Sequence, residues 1–139
     1  MKVRRKARAA ALQTLYEVAC TRHPAEEVLT ERILQAGLSE DGAAFARSLV
    51  NGVLENARVL DRLIASHAPE FPLEQMAVID RAILRLALWE AGIGRITPLK
   101  VAINEAVELA KDYGADSAPR FINGVLGAAA PSLAAEKAA

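Results

Sequence analysis

One cysteine, two histidines, three phenylalanines, two tyrosines and one tryptophan in 139 residues leave little material for several kinds of protein. Cys20 alone cannot close an internal disulfide, and no His/Cys cluster has the spacing of a metal site, so a reducing, cytoplasmic setting with no metal and no cofactor is expected. No Gly-rich phosphate loop, nucleophile elbow or Ser/His/Asp arrangement occurs. His23 precedes a proline in a loop and His67 falls at a helix end, and for want of a convergent nucleophile, base and binding loop the chain is read as no enzyme. Long apolar runs are missing too. The stretch from Ala82 to Trp89 is broken by Arg85, and Gln13 and Glu17 interrupt any signal-peptide core, so neither export nor a membrane span is expected. No internal repeat and no strand-type alternation is found.

What is present favours helices. Apolar residues make up 53% and charged ones 24%, with alanine and leucine dominant, a mixture suited to helices rather than pleated surfaces. The length suits one domain spanning 1–139. Leu12, Leu15 and Ala19 recur at helical spacing, and Arg4, Arg5 and Arg8 continue that face toward the N-terminus. A second helix is predicted from Pro24 to just before Gly37, with Glu26 and Glu27 in its first turn. Ser39 is placed to cap a third, carrying Phe45, Leu49, Val50, Val53 and Leu54, and a short fourth with Leu60, Leu63 and Ile64 runs to Pro69. After Pro72 comes the most apolar helix, with Met76, Val78, Ile79, Ile83, Leu84, Leu86, Leu88 and Trp89 around most of its circumference, ended by Gly92 and Gly94. Thr97 and Pro98 are read as cap and first-turn residue of a sixth helix that stops at Gly114. Ser117 opens a seventh that buries Phe121, Ile122, Val125 and Leu126. The expectation is an all-α fold of about seven helices in two packed bundles, the first at about 3–67 and the second at about 72–131, with a disordered tail at 132–139.

The formal net charge is zero, but it is unevenly spread. Lys2, Arg4, Arg5, Lys6 and Arg8 all precede the first acidic residue, Glu17, and residues 17–139 carry 12 basic and 17 acidic groups. A cationic tip on a mildly acidic body points to a local anionic partner, and arginines neutralise phosphates and stack on exposed bases. The other reading of this run is a solvated, solubilising terminus. Because unpaired arginines are rarely buried, the first turns are expected to project past the packed body or to stay disordered until an anion arrives. Tyr16, beside Arg5 at the rim of the apolar stripe, offers a ring for base stacking or closes the edge of the core.

Further along, Glu105, Glu108 and Asp112 share one face of the sixth helix, a spacing open to a cation but read as a solvated face. Lys100, Asn104 and Lys111 form an adjacent stripe that would extend a phosphate-binding surface or simply aid solubility. Gly124 and Gly127 interrupt a helical pattern, which calls for a close approach: another helix at Gly127, or a ligand beside Phe121.

Four segments resemble the NusB family. Two are the Arg-rich start running into Ala9-Ala10-Ala11-Leu12-Gln13-Thr14-Leu15-Tyr16, and Asp80-Arg81-Ala82-Ile83-Leu84-Arg85-Leu86-Ala87. The other two are Lys100-Val101-Ala102-Ile103-Asn104-Glu105-Ala106-Val107-Glu108-Leu109-Ala110-Lys111 and Phe121-Ile122-Asn123-Gly124-Val125-Leu126. The resemblance covers roughly residues 3–131. It implies two three-helix bundles and a transcription antitermination factor that binds the boxA element of nascent ribosomal RNA, with no catalysis. It implies pairing with NusE, a small-subunit ribosomal protein, and indirect contact with other Nus factors and RNA polymerase. A homodimer of the free protein is compatible with it. Carried onto matching positions, the RNA-binding residues are Lys2, Arg4, Arg5, Lys6, Arg8, Tyr16, Lys100 and Phe121, and the partner-binding ones Asp80, Arg81 and Glu90. Pro119-Arg120, ahead of Phe121, departs from the family pattern in a loop that tends to vary. A related helical domain begins some ribosomal RNA methyltransferases, for whose cofactor domain a chain ending at Ala139 is expected to lack room. The reading from a different class is a helical protein-interaction module without RNA selectivity.

Overall fold

The computed structural model describes residues 2–138, and side chains as far as residue 133. Seven α-helices account for most of it, and no strand occurs among the described residues. They are α1 Lys2–Cys20, α2 Ala25–Ala36, α3 Glu40–Glu55, α4 Ala57–His67, α5 Val78–Leu88, α6 Leu99–Tyr113 and α7 Ala118–Ala138. No helix is long and apolar enough to cross a membrane among the described residues. The helices fall into two compact units, one ending at Glu55 and one starting at Asn56.

In the first unit, α1 packs on both α2 and α3. Small residues let the backbones approach: α1 buries Ala7, Ala10 and Ala11, and α3 buries Gly42 and Ala46. A Cβ at Gly42 would stand 3.1 Å from Val3 Cγ1, so α1 lies against α3 from its first turn onward. Leu12, Leu15, Leu29, Leu49, Val50 and Val53 complete the core. The turn signals act as expected. Gly37 closes α2 at φ 62°, donating to the Ile33 and Leu34 carbonyls, a left-handed cap that glycine adopts without strain. Ser39 Oγ accepts from the Gly42 amide at 3.2 Å, capping α3.

In the second unit α5 touches α4, α6 and α7. Its near-continuous apolar sequence fits that central place, with Ala82, Ile83, Leu84, Leu86, Ala87 and Leu88 all buried. The division falls earlier than the sequence reading placed it, because α4 belongs here. Leu60 and Ile64 of α4 are buried, and Asp61 accepts a two-pronged hydrogen bond from Arg85 of α5 at 2.7 and 2.8 Å. The fifth helix also starts later than expected. Leu73–Gln75 form a 3₁₀ turn, Met76 is extended and buried, and α5 begins at Val78.

Gly92 and Gly94 do not simply stop α5. The chain continues through a π-helical turn, Trp89–Ile93, and Arg95 follows at φ 50°, a strained value for a residue with a side chain. A Cβ at Gly94 would fall 2.8 Å from the Trp89 ring, so only glycine fits beneath the indole. Pro98, not Thr97, occupies the cap position of α6; Thr97 is buried and its hydroxyl donates to Glu90 Oε2 at 2.5 Å. Pro119 sits in the first turn of α7 rather than in a loop, where its missing N–H has no partner to lose. The helix continues through Pro131 to Ala138, and Leu133 is buried. For the tail expected at 132–139, residue 139 and the side chains after Leu133 lie outside the described residues.

Candidate nucleic-acid interface

Five cations crowd the start of α1 with no acidic residue in its first turn. This is unfavourable by itself, because the helix dipole already puts partial positive charge there. An anion relieves both effects together. Lys2, Arg4, Arg5 and Lys6 are exposed. Arg4 and Arg8 do not project past the packed body, one of the two courses the sequence suggested. The guanidinium of Arg4 lies 4.6 Å and that of Arg8 5.2 Å from the centroid of the Phe45 ring. Arg8 is only 5% exposed. The reason is cation–π attraction together with burial of the aliphatic stems, which makes α3 a seat for the basic turn. Phe45 therefore orders the cationic end, a role hidden in sequence because the ring also reads as core.

At the other end of α1, Tyr16 is 45% exposed. A hydrogen bond with Cys20 raises its phenol above the usual tyrosine range, so the ring stays neutral and available for stacking. Beside it Glu17 accepts from His23 Nδ1 at 2.8 Å and from Arg32 at 2.9 Å. These donors hold its carboxyl below the ordinary glutamate value, fastening α1 to α2 and the turn between them.

In the second unit Phe121 is half-buried on α7, its ring 5.2 Å from that of Phe71. Phe71, which the sequence reading passed over inside a Pro-rich turn, is 43% exposed. The two rings line an open groove of about 390 Å³ together with His67, Pro69, Arg120 and Gly124. Outside its own helix backbone and chain neighbours, no described atom lies within 4 Å of a Cβ built on Gly124 or on Gly127. The close helix expected at Gly127 is therefore absent among the described residues, and Gly124 instead opens the groove. Lys100 is exposed on α6.

The three residues assigned to a protein partner differ in accessibility. Arg81 is half-buried and reaches the Leu73 carbonyl at 3.4 Å. Asp80 is also half-buried, with Oδ1 buried and lacking a hydrogen-bond partner among the described residues. Burial raises its carboxyl above the ordinary aspartate value. Glu90 is 2% exposed and holds Thr97, so it shapes the turn leading to α6 and offers no surface to a partner. On α6, Glu105 is buried and Glu108 pairs with Lys111 at 2.9 Å. No group of three His, Cys, Asp or Glu side chains is placed to hold a metal ion among the described residues.

Residues 5–131 match the NusB family. The chain belongs to that family. The transcription antitermination protein NusB of Roseiflexus castenholzii is 50% identical over 127 residues, covering 90% of this chain and 89% of its own. That of Chloroflexus aggregans is 46% identical over 138 residues, covering 98% and 92%. Among solved structures, T. maritima NusB gives a TM-score of 0.85 at 32% identity, over 92% of this chain and 90% of its own. A chain from the crystal structure of antitermination factors NusB and NusE in complex with dsRNA gives 0.86 at 24% identity, over 95% and 98%. This last likeness is one of fold. The NusB-like segments quoted from the sequence fall on α1, α5, α6 and α7, the helices that carry the basic end, Asp80 and Arg81, Lys100 and Phe121.

Proposed function

We propose that this chain is a transcription antitermination factor, which binds boxA-type single-stranded RNA of nascent ribosomal RNA transcripts together with NusE. So bound, it helps RNA polymerase read through terminators in company with other Nus factors. The reading places it in the cytoplasm and gives it no catalytic step. The observation that carries it is the cationic start of α1 seated on Phe45, in a chain whose relatives are antitermination proteins.

Lys2, Arg4, Arg5 and Lys6 contact phosphates and position the strand, while Arg8, buried against Phe45, adds to the local field. Tyr16 and Phe121 supply rings for bases, and Lys100 adds a further phosphate contact. Asp80 and Arg81 face NusE through their exposed parts. Glu90 acts only by shaping the turn before α6.

The test is fluorescence-anisotropy binding of a short boxA-like RNA and a scrambled strand, each single-stranded and as a duplex, with and without NusE. The reading expects salt-sensitive preference for the single-stranded boxA-like RNA, tightened by NusE and lost in Arg4→Glu/Arg5→Glu with NusE still bound. Equal binding of all the RNAs, or none, leaves a helical protein-interaction module.

A further inference from the structure

The groove beside Phe121 has a shape that the packing of the second unit does not require. Phe71 stands 43% exposed although a phenyl ring gains most when covered, and its neighbour is another ring, tilted by 49°. Gly124 forms part of the lining, and a Cβ there would meet no described atom within 4 Å beyond its own helix backbone and chain neighbours. A glycine inside a helix, with room for a larger residue, keeps the groove open at a cost in helix propensity. Arg120 adds a guanidinium to the same lining. The volume, about 390 Å³, lies in the range of roughly 300–1,000 Å³ typical of small-molecule sites.

We infer that this groove takes one unstacked base of the bound RNA, its face against Phe71 and Phe121 and its adjoining phosphate on Arg120. The inference rests on the RNA-binding reading above. Single-stranded RNA is recognised by splaying bases onto aromatic faces, and each stacked base adds substantially to affinity. Arginine recognises phosphate through its planar donors. An aliphatic anchor from a protein partner would be better served by an enclosed pocket than by an open groove between two rings beside a cation. Phe71 is then a specificity-determining residue, and Gly124 the residue that leaves the base its space.

The test uses the full chain with NusE and a boxA-like RNA carrying 2-aminopurine at one position at a time. One position is expected to lose fluorescence several-fold on binding. Gly124→Leu places a side chain in the groove from a position where a Cβ meets no neighbouring side chain, and Phe71→Ala removes one wall. Both should abolish that quench and weaken RNA binding by roughly 5- to 150-fold, the range for loss of one stacked base. The salt dependence should stay that of the unaltered protein, and circular dichroism the same. Arg120→Gln should instead lower the salt slope by about 0.7. RNA bound with no position quenched, or bound equally well by Gly124→Leu, overturns the inference and leaves the antitermination reading standing. Loss of NusE rather than RNA from Gly124→Leu overturns it in favour of a protein side chain in the groove. No binding of any RNA by the unaltered protein with NusE overturns both.

Discussion

Replacing Arg4 and Lys6 together by glutamine removes two exposed cations from the basic end of α1 while keeping good helix formers in place. The stability effects are small and opposed. Arg4 loses its stacking on Phe45, worth about 0.5–1 kcal/mol, whereas relief of repulsion with the helix dipole returns a similar amount. Binding should change far more. Each phosphate neutralised in a single strand adds about 0.7 to the slope of log affinity against log salt, so the double variant lowers that slope by roughly 1.4. At about 0.15 M salt the lost counterion release corresponds to roughly fifteenfold weaker binding. The assay is anisotropy of a labelled boxA-like strand, with NusE present, at four or five salt concentrations, alongside a thermal melt. A slope equal to that of the unaltered protein, or an affinity loss independent of salt, would refute the assignment of phosphate contacts to this helix end.

Other outcomes follow from the packing. Gly114→Ala puts a Cβ 2.6 Å from that of Ala118 and 2.9 Å from the Ala110 carbonyl oxygen, and should cost about 1–3 kcal/mol in urea denaturation, while Gly124→Ala should gain up to about 1 kcal/mol; equal effects would contradict the geometry. Thr97→Val removes a donor from buried Glu90 and is expected to lose about 1–3 kcal/mol, with a melting temperature equal to wild type as the contrary result. Glu17, with its folded pKa lowered, contributes stability that is present above its unfolded value and lost as pH falls through the folded one. The gap in stability between the protein and Glu17→Gln should therefore narrow on acidification. Asp80, whose folded pKa is raised by burial, behaves oppositely: the protein should gain stability relative to Asp80→Asn as pH falls through that raised value. Melts at pH 7 and pH 3 distinguish both signs.

Much of the fold could be read from punctuation and periodicity. Gly37, Ser39 and Gly114 act where local chemistry predicts, and the apolar circumference of α5 foretold its central place in the second unit. The misplaced boundary at α4 shows the limit of that reading. A short amphipathic helix following closely on α3 gives no local sign of which neighbours will cover Leu60 and Ile64; the deciding contacts, Asp61 with Arg85 among them, are distant in sequence. Thr97 likewise has the look of a cap, but a buried carboxylate seven residues back competes for its hydroxyl. In the candidate site, the charge asymmetry exposed the basic cluster, whereas its seat on Phe45 required knowing that α1 runs along α3. Phe71 gave no periodic signal at all, since it lies in a turn between Pro69 and Pro72, and only the approach of α7 gives its ring a partner.

The central claim is met most directly by transcription in vitro, on a template with a boxA-like element upstream of a terminator, using RNA polymerase, NusE and the other Nus factors with and without this chain. The account predicts that adding the chain raises the read-through fraction on the boxA template, that a scrambled element removes the gain, and that the Arg4→Gln/Lys6→Gln protein shifts it to higher protein concentration. Read-through unchanged by the chain, or raised equally on the scrambled template, would contradict it.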